Sequence, residues 1–140
     1  MTLALNDTFS VESPYGVWKD LGHALKGTHG APAQLGEGAL LGGDPVSITL
    51  GNALENTPAF LVAGSVLLEK PFKGGVMVPD PTPPAVLLGF FTGPFGKLKL
   101  DGAWPMGLPA GFTLYLQWWI EDAAGPKGFA ASNALSATTP

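Results

Sequence analysis

Apolar and polar residues alternate most strictly over residues 111–121, GFTLYLQWWIE. Phe112, Leu114, Leu116, Trp118 and Ile120 fall on one side of an extended chain, and Thr113, Tyr115, Gln117, Trp119 and Glu121 on the other, because successive strand side chains point to opposite faces. The first set reads as core. The second joins large aromatic rings to hydrogen-bonding groups, which suits either a sheet face covered by another element or a surface that stacks on a ligand. Val46, Ile48 and Leu50 alternate with Ser47 and Thr49 in the same way, and Leu98 and Leu100 alternate with Lys97 and Lys99, whose charges suit an edge or a solvent face. Residues 59–68, AFLVAGSVLL, are almost continuously apolar, as in a central strand covered on both faces. Further strands are predicted over 17–21, 33–41, 85–91 and 129–138.

Turn signals separate these segments. Asp44-Pro45, the Gly74-Gly75 pair and Gly93-Pro94-Phe95-Gly96 mark tight reversals, and 26–32 and 51–58 read as loops. Four prolines within 79–84, PDPTPP, exclude a helix and a central strand and predict a stiff extended connector. Residues 18–25 could close a single helical turn, but no stretch of ten keeps a helical period free of Gly and Pro. About eight short strands at this spacing predict an all-β, single-domain antiparallel β-sandwich, jelly-roll or Ig-like, over residues 17–140. Residues 1–16, opening with Leu3 and Leu5, are an N-terminal arm or edge strand.

Composition narrows the picture. Twenty Gly and 14 Pro in 140 residues would fit disorder, but 46% hydrophobic and only 13% charged residues do not. All seven basic residues are lysines and the formal net charge is -4, which leaves nothing to neutralise a run of phosphates and argues against nucleic-acid binding. No cysteine is present, so disulfides and thiolate chemistry are excluded. No run approaches the roughly 20 apolar residues that a membrane-spanning helix needs. The start, MTLALNDTF, lacks the basic and apolar regions of a signal peptide, as expected of a protein that is not exported or of a domain cut from a longer chain.

Several blocks form an ordered series: WKDLGHALKGTHG at 18–30, Phe72-Lys73-Gly74-Gly75, AWPMGLP at 103–109, the strand at 114–120, and AGP at 124–126 leading to GFAASNAL at 128–135. The series resembles an uncharacterised β module at the C-terminal end of large secreted or surface proteins of planctomycetes and related marine bacteria. The resemblance spans about residues 17–140. It implies an exported, non-catalytic bacterial module at the cell surface or outside the cell, and it brings neither a ligand nor a catalytic residue.

Candidate chemistry is sparse. Tyr115, Gln117 and Trp119 are the candidate ligand-binding residues: flat rings stack on sugars and an amide fixes orientation, which would make the chain a carbohydrate-binding module for a polysaccharide. That reading requires exposed, coplanar rings; its rival is a strand face packed under a neighbour. Trp18 and Trp104 stand in turn-rich contexts, with Trp104 before Pro105 suited to closing one end of a core. His23 and His29 fall short of the three or four converging ligands of a metal site. Asp44, Asp80, Asp101, Glu121 and Asp122 lie in or beside turns, where Glu121-Asp122 is the best seed for a structural Ca²⁺ and ordinary turn chemistry accounts for all five. No nucleophile elbow, zinc helix or phosphate loop is present, and a carboxylate pair such as Asp101 with Glu121 has no supporting motif. The expectation is a non-enzymatic module without cofactor or metal that mediates attachment or assembly, its partner a polysaccharide, a surface protein or a second copy. Self-assembly by addition of residues 2–11 as a strand to the next copy's open edge is the structural alternative, and predicts oligomers lost on removal of that segment.

Overall fold

The computed structural model describes residues 14–140. Residues 1–13, and with them the strand expected over 2–11, lie outside the described residues. Eleven strands form three antiparallel sheets and there is no helix among the described residues; in place of the helical turn expected over 18–25, β1 runs to Gly22 and the chain bends there, with Gly22 and His23 at positive φ. The elements are β1 (Val17–Gly22), β2 (Ala33–Glu37), β3 (Pro45–Gly51), β4 (Pro58–Gly64), β5 (Leu67–Phe72), β6 (Gly75–Pro79), β7 (Val86–Phe91), β8 (Leu98–Ala103), β9 (Thr113–Glu121), β10 (Phe129–Ala131) and β11 (Ala134–Thr138).

The larger sheet runs β1-β11-β9-β4-β7, with β10 also paired to β9; the smaller runs β2-β3-β8, and β5-β6 is a separate hairpin. The two larger sheets enclose the main core. β9 sends Leu116, Trp118 and Ile120 into it, β4 sends Ala59 and Leu61, and β3 sends Leu50, all almost wholly buried. Their two-residue spacing puts them on one face, and removing that apolar surface from water is the principal stabilising term. Trp104 closes one end of this core, and Trp18 packs on its flank while its indole N–H donates to the Gly38 carbonyl. Gly36 is required there, because a Cβ at that position would run into the Trp18 ring.

Two expected strands are divided. The apolar run 59–68 ends as β4 at Gly64, turns through Ser65 and Val66, and restarts as β5, which folds back on β6 through Lys73 and Gly74, both at positive φ. Residues 129–138 break at Ser132 and Asn133: the Ser132 hydroxyl accepts from the Trp118 N–H, and Asn133 exchanges hydrogen bonds with the Gln34 backbone. Both breaks occur where side-chain or turn bonds replace ladder bonds.

Candidate functional site

The outer face of the larger sheet, away from the main core, carries the odd-numbered residues of β9. A second small core lies here, made of Val62, Met77, Trp119 and Ala131, with Leu25, Leu68 and Phe129 packed on it. The β5–β6 hairpin supplies its cover. Gln117 is completely buried beneath the hairpin, where its Oε1 accepts from the Val78 N–H at 3.0 Å and from the Trp119 indole at 3.2 Å. Its amide nitrogen donates to the Val76 carbonyl at 3.1 Å. Trp119 is only 3% exposed and meets Phe72 edge to face, with ring centroids 5.0 Å apart. Tyr115 is half-buried on the same face, paired with Gly64 of β4 and Ser136 of β11. The three residues expected to bind ligand are therefore side by side, but Gln117 and Trp119 are occupied in fastening the hairpin. The exposed aromatic pair that sugar stacking requires is not formed, since Trp119 is covered by the hairpin.

The hairpin covers only part of this face. Toward the sheet edge it leaves a groove of about 240 Å³. Phe60 and Val62 of β4 and Trp119 form its floor, Phe72 and Met77 of the hairpin one wall, and Leu87 of β7 the other, with Phe129 at one end. No lining residue is ionisable. The apolar surface continues onto β7, whose sequence VLLGFF contains no charge: Val86, Leu87, Leu88 and Phe91 are 48%, 61%, 42% and 70% exposed. Among the described residues, β7 is the last strand of the larger sheet and has a neighbour on one side only. The sequence over 85–91 predicts a strand but no function, because an apolar run looks the same in a sheet centre and at an edge; only the pairing separates the two.

The polar candidates are dispersed. His23 faces Glu69 at 3.8 Å and His29 faces Glu55 at 2.9 Å, both pairs exposed, so the two imidazoles serve different loops. Among the described residues no three His, Asp or Glu side chains group as metal ligands. Burial disfavours the Asp122 charge, yet the Thr28 N–H and hydroxyl, both at 2.7 Å, and the Ala124 N–H at 2.9 Å outweigh it, with help from His29. They hold the Asp122 carboxyl below the ordinary carboxylate range. Its oxygens are engaged by protein donors, and Glu121 beside it is exposed on the strand. Asp80 accepts from the Thr82 N–H in a turn, and Asp44 lies in the turn that leads into β3. Asp101 is in β8 of the smaller sheet and Glu121 in β9 of the larger, so the fold does not bring them together as a carboxylate pair on one sheet. No family model, no curated protein and no solved structure matches the chain.

Proposed function

We propose that the chain is a non-catalytic module of a secreted or cell-surface bacterial protein, mediating attachment or assembly through the groove and the β7 edge beside it. The observation that carries this reading is the apolar surface that runs from Phe72 and Phe60 across Leu87 to Phe91. Contiguous apolar surface, charged only at its rim where the Lys73 ammonium lies 5.8 Å from the Phe72 ring and 5.6 Å from the Phe129 ring, favours a macromolecular contact over solvation. A groove without acid, base or nucleophile supports binding and not turnover. Placement outside the cell or on its surface is supported by the block resemblance over residues 17–140.

The test compares wild type with a Leu87→Lys, Phe91→Lys double variant in two assays: self-association by sedimentation, and adsorption to bacterial-surface polysaccharide and protein. Both side chains point to solvent, so circular dichroism should be unchanged. Loss of association or adsorption in the folded variant is the expected result. A variant that matches wild type in both assays would remove the reading.

A further inference from the structure

We infer that β7 is a self-recognition edge: two copies pair their β7 strands antiparallel about a two-fold axis at Gly89. This rests on the reading above and names the partner as a second copy of the chain.

The direction of the backbone groups sets the geometry. The Thr92 N–H donates to the Thr57 carbonyl at 2.9 Å, and the ladder continues with Phe91 opposite Pro58, Phe90 opposite Ala59, Gly89 opposite Phe60, Leu88 opposite Leu61 and Leu87 opposite Val62. Hydrogen-bonded and non-hydrogen-bonded pairs alternate along an antiparallel ladder. Phe90, Leu88 and Val86 therefore share the bonds to β4, while Leu87, Gly89 and Phe91 turn their N–H and C=O groups outward. Pro58, opposite Phe91, has no N–H to offer, in keeping with that phase. Among the described residues, the other long edge strands of the two larger sheets carry charge: Lys19 and Asp20 on β1, Glu37 on β2, Lys99 and Asp101 on β8; uncharged β10 is three residues long and its outer side is bridged by Leu25 at Ala131. Charges of this kind block edge pairing, and among these long edges β7 alone omits them.

The register follows. Outward groups must meet outward groups, and each face of the sheet must continue into the same face of its neighbour, so Leu87, Gly89 and Phe91 can pair only among themselves. One antiparallel register uses all three: Leu87 opposite the partner's Phe91, Gly89 opposite the partner's Gly89, and Phe91 opposite the partner's Leu87. It closes about six backbone hydrogen bonds. On the groove face two Leu–Phe contacts flank the glycine pair; on the core face Leu88 meets the partner's Phe90. Exposed surface on β7 amounts to roughly 450 Å² per copy, so about 900 Å² is the ceiling on what the pair buries, which places it with weak, reversible dimers. A two-fold contact of this type closes at two copies, whereas exchange of an N-terminal strand would propagate head to tail.

The test is a charge exchange in the full-length chain, read by sedimentation equilibrium with circular dichroism as the fold check. Leu87→Lys and Phe91→Asp, each alone, should weaken the wild-type dimer on the order of a hundredfold, because each enters the interface twice without an opposite charge. Combined in one chain they should restore it to within about tenfold, since each introduced lysine then faces an introduced aspartate across the axis. Gly89→Cys provides a second readout. A Cβ at Gly89 meets Phe60 at 3.6 Å, ordinary contact, and the introduced thiol is the only one in the chain, so a short bifunctional maleimide should link two copies. Leu3→Asp with Leu5→Asp should leave the dimer intact. A wild type that is monomeric throughout, a double variant that stays monomeric, or dimer loss in the Leu3, Leu5 variant would overturn the pairing. Monomeric wild type whose surface adsorption still depends on Leu87 and Phe91 would overturn the pairing alone; indifference of both assays to those residues would remove the attachment reading as well.

Discussion

Asp122 ties together segments 94 residues apart by accepting both the N–H and the hydroxyl of Thr28. A third bond, from Ala124, closes its own turn, and Gly27 leaves the room, since a Cβ there would collide with the carboxylate. Its carboxyl is held below the ordinary range in the folded protein. A group depressed on folding contributes stability above its unfolded-state value, and that contribution is lost as pH falls through the folded value. Asp122→Asn should therefore lower unfolding free energy at neutral pH by about 1–3 kcal/mol. It should also flatten the loss of stability below about pH 4. Urea unfolding at a series of pH values measures both, and parallel acid limbs for variant and wild type would show that the carboxylate is not the acid-labile tie. Sequence identified Asp122 as a turn residue from its neighbours, which set turn chemistry. It could not identify Thr28, because nothing local to either residue encodes a contact across that separation. The same holds for Asn52 and Asn133: each hydrogen-bonds the 29–34 segment, one at the His29 and Ala31 carbonyls and the other at Gln34.

At the level of elements, the hairpin decides what the outer face can do. Its β5 strand, LLEKPF, is exposed along most of its length, so it is fastened mainly through β6 and Phe72. Gln117 is the polar link between β6 and the sheet. Gln117→Leu keeps the volume but leaves the buried Val78 and Trp119 N–H groups without their acceptor, at a cost of about 2–3 kcal/mol. Hydrogen exchange should quicken at Val76 and Val78 more than in β3, because local opening follows the weakest attachment. Equal acceleration throughout would mean that the hairpin and the sheet unfold as one unit. The alternation over 111–121 was fully legible as a two-faced strand, and the all-β sandwich follows from its kind of patterning. What covers the second face was not. Residues 59–68 read as one buried strand because β4 and the turn after it share the same apolar letters; Glu69 at positive φ and the register shift between Leu67 and Lys70 mark a hairpin that apolarity alone conceals.

Considered whole, the molecule is a two-sheet sandwich with a partial third layer, and the incompleteness of that layer is what exposes the groove. The larger sheet's opposite edge, β1, carries Lys19 and Asp20, and the smaller sheet is bounded by charged strands on both sides. These charges favour β7 as the edge for the proposed pairing of two copies. With a formal net charge of -4, two copies repel weakly at long range, and raising salt screens that repulsion. The contacts proposed at β7 are backbone hydrogen bonds and apolar side chains, which salt does not weaken and which sulfate strengthens by favouring burial of apolar surface. Dimerisation should therefore hold or tighten as sodium chloride rises from about 50 to 500 mM, and tighten further when sulfate replaces chloride. Sedimentation equilibrium in the three buffers measures it. An affinity that falls steeply with salt would place the contact among the charged loops, at His29 and Glu55 or His23 and Glu69, and away from β7, whose side chains carry no charge.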